Sequence, residues 1–193
     1  MSGIPTTTFG VMSLVWFGTT LFMVIEGTMM AMLFAAYFYL RTRSPDWPPS
    51  LIPPPDWRWG IGNAALFLVS AFPAWLIKGR ARARDLVGVR RSLGVLLLFA
   101  TGNIVLRVME FIGLNCRWSD NAYASVIWVM LGTHSGHLAT EFIETAVLLA
   151  LAWKGTPDES SYEDFFENSD YWYFVVGLAL LMDLVLYAAP HLL

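Results

Sequence analysis

Tyr123-Ala-Ser-Val-Ile-Trp-Val-Met-Leu-Gly132-Thr-His134-Ser-Gly136-His137-Leu-Ala-Thr-Glu141-Phe-Ile-Glu144-Thr-Ala-Val-Leu-Leu-Ala-Leu-Ala-Trp153 is an apolar run without lysine or arginine that nevertheless carries four ionisable residues. Spacings of three, four and three place His134, His137, Glu141 and Glu144 on one face of a helix. Ionisable groups at membrane depth are costly, turn toward protein or water rather than lipid, and commonly mark a site. The run is long enough to cross a hydrocarbon core, so its reading sets the class of the whole chain.

The rest of the chain agrees. Of 193 residues, 56% are hydrophobic and only 14% charged, where a soluble domain carries about a quarter charged. Mean hydropathy is +0.55. Disordered, collagen-like and disulfide-rich classes are excluded by the same composition. Cys116 is the single cysteine and has no internal partner to pair with. Met1 to Gly10 has no positive n-region and no small-residue cleavage site, so no cleaved signal is expected.

Five apolar runs are expected to span the bilayer, which takes about 20 residues each: 13–40, 59–77, 92–114, 123–153 and 171–189. Period-two alternation is missing, which argues against a β-barrel. The expectation is an all-α, polytopic helical bundle forming a single transmembrane domain over 1–193. The first and fourth runs exceed the minimum and are expected to tilt or protrude. The second loop, Lys78 through Arg91, holds six basic residues against Asp85. By the positive-inside rule it is cytoplasmic, which puts the N-terminus in the cytoplasm and the C-terminus in the periplasm. The fourth loop is acidic (Asp158, Glu159, Glu163, Asp164, Glu167, Asp170), and a solvated face is the default for such a run. Pro45 to Pro55 reads as a stiff extended outer loop, an interfacial tether or a docking loop, with Trp47, Trp57 and Trp59 suited to the membrane boundary.

Glu26 lies near the middle of the first span. An ionised carboxylate there costs about 2.5–3.5 kcal/mol on insertion scales, so a neutral acid bonded to a partner is the cheaper state. Two readings stand for it: a packed carboxyl that holds helix register, or a proton- or lipid-linked site. Arg107 and Glu110 are three apart and can pair locally near the outer end of the third span. Asp183 has no partner visible in sequence.

Two histidines and two glutamates on one face are of the right chemistry for a metal, but di-iron bundles need a second Glu-x-x-His helix. Here the only other histidine is His191. No metal is therefore expected, and interhelical hydrogen bonding is the competing reading. Gly132 and Gly136, four apart, are expected to allow close helix approach. No phosphate-binding loop, nucleotide fingerprint or nucleophile elbow is present, so no catalytic residue is assigned and no nucleic-acid partner is expected.

Six motifs in order resemble subunit III of haem–copper terminal oxidases, in the shorter five-helix form of bacterial quinol oxidases and relatives. They are Glu26 with Met30, Phe34 and Tyr37; Trp47-Pro48-Pro49 with Ile52-Pro53; Asn63; Glu110-Phe111 followed by Ser119-Asp120 and Tyr123-x-Ser125; Gly132 to His137; and Tyr171-Trp172-Tyr173-Phe174-Val175. The resemblance runs from about Phe9 to Pro190. Tyr173 and Val176 stand where the family has histidine and aspartate.

What the resemblance implies is a non-catalytic subunit of a respiratory oxidase of the cytochrome c or quinol type, in a bacterial inner membrane. It would pack against subunit I, which carries the haem and copper, and beside subunit II. It would stabilise subunit I and support proton uptake in aerobic electron transport, with a phospholipid bound in a cleft. By position Glu26 would be the buried carboxyl, with His134 and His137 structuring the cleft. Glu141 and Glu144 extend the stripe beyond the family signature, and with Glu110 they complete the expected buried proton-linked or structural set. Glu26, Trp47, His134 and His137 are the set expected toward lipid. Alternatives are a subunit-III-like protein of a nitric oxide reductase system, or a small proton or ion transporter.

Overall fold

The computed structural model describes residues 14–50, 52–155 and 159–192. Readings made for Met1–Gly10, for Asp158 and for the side chains of Glu159 and His191 lie outside the described residues. Five long helices follow one another: α1 (Leu14–Arg43), α2 (Trp57–Arg82), α3 (Leu86–Gly113), α4 (Ala122–Lys154) and α5 (Glu159–Asp183). A π-helical turn, Leu184–Ala188, then leads into the short α6 (Ala189–Leu192). Among the described residues there are no strands.

Local chemistry sets the helix ends. Asp56, Asp85 and Asn121 cap α2, α3 and α4, their side chains accepting from the backbone N–H of Arg58, Gly88 and Ala124, which satisfies donors that the first turn leaves free. The turn between α2 and α3 is only Ala83-Arg84-Asp85, with Arg84 at φ 54. Gly88 is required there, because a Cβ would strike the Asp85 carboxyl and the Arg80 side chain. The basic residues expected in a loop are therefore mostly helical. Lys78, Arg80 and Arg82 end α2, and Arg90 and Arg91 open α3.

Four segments are long and apolar enough to cross a membrane: α1, α2, α3 and Tyr162–Ala188. Although α4 is the longest helix, with 33 residues, it is not among the four. Its stripe of histidine and glutamate, with the glycines and threonines between, lowers its hydropathy. The fifth segment also departs from expectation. The stretch read as an acidic loop is already helix from Glu159, and Glu167, Asn168 and Ser169 are buried within it.

Helices α2, α3, α4 and α5 form a ring in which each packs on the next and α5 closes back on α2, while α1 lies in the groove between α4 and α5. The buried core falls into two clusters. One surrounds Phe67, Leu93, Leu96 and Trp172 toward the α2–α3 turn; the other surrounds Met30, Tyr37, Ile127 and Met130 toward the other end. Outward faces carry Leu21, Val24, Ile25, Phe72, Leu98 and Ile143, as expected of helices whose surroundings are as apolar as their core.

The proline-rich segment closes over one end of this bundle. Trp47 packs edge-on against Tyr37 and Tyr123, with ring centroids at 5.3 and 5.0 Å. The Asp56 N–H donates to Gly113 O at 2.8 Å, and Arg41 Nη1 donates to Ala189 O at 2.9 Å. Asp46 accepts the Ser50 N–H at 2.7 Å, and that bond holds its carboxyl below the ordinary carboxylate range. Gly132 and Gly136 do not mediate helix approach within the chain. Both face out of the bundle with nothing near a Cβ.

Candidate functional site

The stripe on α4 is shared among three neighbours. At about 100° per residue, His134 turns to α3 and α5, His137 to α1, and Glu141 to the start of α5. Glu144, ten residues on, is rotated by about 80° from His134 and emerges on the exposed surface. His134, His137 and Glu141 are buried; Glu144 is not part of that buried set.

The first centre is built on Arg107 and Glu110 of α3, both buried. Arg107 Nη1 donates to Glu110 Oε2 at 2.7 Å, and its Nη2 contacts His134 Nδ1 at 3.1 Å. Because arginine can only donate, Nδ1 must accept. The proton then sits on Nε2, which donates to Val175 O at 3.0 Å. Glu110 also accepts from Asn63 Nδ2 of α2 at 3.1 Å and from Tyr187 Oη of the π-turn at 3.0 Å. The expected local pair is thus made, but as the hub of a buried network tying α2, α3, α4 and the end of α5. Asp183 meets this centre rather than Glu26, lying within electrostatic reach of Glu110 and Arg107. Neither of its carboxylate oxygens has a hydrogen-bond partner. It lines a cavity of about 430 Å³ with Trp57, Gly60, Ile61, Ala64 and Tyr187.

Glu26 of α1 is the second centre. It is buried, and its Oε2 accepts from Tyr171 Oη of α5 at 2.6 Å. His137 Nε2 stands 3.5 Å from Glu26 Oε1, too long for a good hydrogen bond, and neither ring nitrogen has another partner. Further along α4, Glu141 Oε1 accepts from Asn168 Nδ2 at 2.8 Å and Thr145 Oγ1 at 3.3 Å. Glu141 Oε2 and Asn168 Oδ1 have no partner. Glu26, His137, Glu141 and Asn168 therefore form a buried polar line with open hydrogen-bonding capacity. Among the described residues, no group of three histidine, cysteine or carboxylate side chains converges tightly enough to hold a metal ion.

Trp47 does not share this site. It packs on Tyr37, which is eleven residues, or about 16 Å of helix, from Glu26. Asn168, Thr145 and Tyr187 are partners that sequence reading missed. A signal was available for one of them. Asn168, Tyr171 and Val175 lie three and four apart on the α5 face that meets the α4 stripe.

Fold and polar layer together define an integral membrane helical bundle whose ionisable side chains are mostly paired inside it. No family profile matches the chain. Curated relatives do. Cytochrome c oxidase subunit 3 of Synechocystis is 25% identical over 175 residues, covering 89% of this chain and 74% of the relative. Cytochrome c oxidase subunit 3 of Myxine glutinosa is 27% identical over 180 residues (89% and 68%). Quinol oxidase subunit 3 of Bacillus subtilis is 28% identical over 165 residues (82% and 78%). Four such relatives support membership of the oxidase subunit III family, the family to which the order of motifs points.

Proposed function

We propose that the chain is a non-catalytic subunit III of a bacterial respiratory haem–copper oxidase, with the haem and copper held by subunit I. Five helices cross the inner membrane as one domain, with the N-terminus cytoplasmic and the C-terminus periplasmic. The chain packs beside subunit I and near subunit II, stabilises the catalytic subunit and supports its proton uptake. The observation that carries this reading is the Glu26 carboxyl held at the junction of α1, α4 and α5, bonded to Tyr171 and facing a His137 with open ring nitrogens. A carboxyl with one strong donor and one unfilled neighbour is suited to hold or pass a proton. Bound phospholipid beside α1 fits the same reading, since α1 turns a broad apolar face outward.

Purification of tagged protein in mild detergent tests the assignment, read by haem absorbance and mass spectrometry of companion chains. Recovery of a haem-bearing subunit I is expected; a colourless chain recovered alone overturns the assignment. Within the complex, Glu26→Gln is expected to shorten the lifetime of activity during turnover while leaving the initial rate nearly unchanged. Normal decay removes Glu26 from that role.

A further inference from the structure

A second site lies outside the buried polar layer, on the membrane-facing side of the α2–α3 hairpin. A groove of about 360 Å³ runs between the two helices, walled by Val69, Phe72, Leu76, Val95 and Phe99, and closed at its charged end by Arg80, Arg91 and Ser92. From Arg80 back to Val69 is eleven residues, or about 16 Å along the helix. That is half the roughly 30 Å hydrocarbon core, the depth of one leaflet.

The cations around the α2–α3 turn divide into two groups. Several point back into the protein. Lys78 Nζ pairs with Asp170 at 2.5 Å, the Arg82 guanidinium lies over Phe166, and Arg90 donates to Ala152 O at 2.8 Å and lies over Trp153. Of the two at the groove, Arg80 is also bonded within the protein and Arg91 is not. Arg80 is held by Nη1, which donates to Gly88 O at 2.8 Å and Ser92 Oγ at 2.6 Å, so its guanidinium is fixed at the rim. Arg91 is exposed and has no partner among the described residues. Asp85, the acid of that turn, is engaged in capping α3 through the Gly88 N–H. The rim therefore presents net positive charge, one arginine preset and the other free, above an apolar channel one leaflet deep.

We propose that this groove binds one anionic phospholipid, with its phosphate on Arg91 and Arg80 and one acyl chain along Phe72 and Val95. Basic pockets between transmembrane helices select anionic headgroups by this combination of charge and apolar depth. The site is separate from the Glu26 junction, since it lies on the opposite side of α2 and α3 from the ring interior.

The test uses the full chain in mild detergent, titrated with phosphatidylglycerol or phosphatidylcholine and read as lipid adducts by native mass spectrometry. Wild type is expected to bind phosphatidylglycerol several-fold tighter. Arg91→Gln, which removes no contact within the protein, is expected to lower that preference by about fivefold. Val95→Trp, which fills the channel, is expected to remove one bound lipid of either kind. Equal affinity for the two lipids in wild type, or an unchanged preference in Arg91→Gln, overturns the proposal. So does displacement of the lipid by glycerol 3-phosphate at matched concentration, which would make the rim a free-phosphate site. In the assembled complex, a photo-crosslinker at position 95 is expected to capture lipid; capture of a partner polypeptide overturns the proposal as well.

Discussion

The Arg107–Glu110 centre ties α2, α3, α4 and the end of α5, while the Glu26–His137–Glu141 line ties α1, α4 and α5, and the two differ in how their carboxylates and histidines are bonded. Glu110 accepts from Arg107, Asn63 and Tyr187, and His134 is engaged at both ring nitrogens. In the second cluster both nitrogens of His137, one oxygen of Glu141 and the carbonyl oxygen of Asn168 are open. The first centre has open atoms too, at Asn63 Oδ1, Arg107 Nε and both Asp183 oxygens, but the three donors converging on Glu110 fix one arrangement of helices there, because any shift breaks several bonds at low dielectric. A partly bonded network costs stability and leaves room for a proton or a water to change place. Under the proposed function, the first centre serves to hold the helices and the second is the place where chemistry linked to the partner subunit enters.

Substitutions can break or sharpen this contrast. The largest effect is expected for Arg107→Met, which strands Glu110 without its cation and should cost about 3–5 kcal/mol, seen as a lowered midpoint in a thiol-independent thermal unfolding assay in detergent. A loss under 1 kcal/mol, small by that scale, would erase the distinction between the centres. His134→Phe keeps the ring volume but leaves Arg107 Nη2 without its acceptor and takes the second donor from Val175 O, for an expected loss of about 2–3 kcal/mol. Tyr171→Phe removes one donor from Glu26 and should cost about 1–2 kcal/mol, with a further effect on turnover lifetime in the complex that His134→Phe does not share. Asn168→Leu is expected to be the mildest, within about 1 kcal/mol, because Glu141 keeps Thr145 and an unpaired oxygen is removed along with the lost bond. A larger loss at Asn168 than at His134 would reverse the assignment of roles.

Much of this was legible along the chain. The apolar runs announce helices because a membrane leaves no other partner for backbone groups, and the positions of α1 and α3 lie close to the expected spans. Glu26, His134, His137 and Glu141 are found by the same argument, since a charge amid apolar residues stands out. Glu144 is included by it too and turns out exposed, because spacings of three and four follow a helix face only approximately and the small error accumulates over ten residues. The acidic stretch before Tyr171 misleads for a different reason. Composition marks Glu163, Glu167 and Asp170 as solvated; Glu163 is exposed, but Glu167 is buried, Asp170 pairs with Lys78 on α2, and the stretch is helix rather than loop.

Sequence by itself determined the class of the molecule, the approximate membrane segments, and the family to which its ordered motifs belong, because hydropathy and short motifs are local properties of the chain. Which polar groups meet was decided only by the tertiary structure. Arg107 with His134, Asp183 with Glu110, Glu26 with Tyr171 and Asn168 with Glu141 are separated by 27, 73, 145 and 27 residues, respectively. Each pairing depends on the rotation of one helix about its axis against another, and that rotation is set by packing over the whole interface rather than by any residue near the pair.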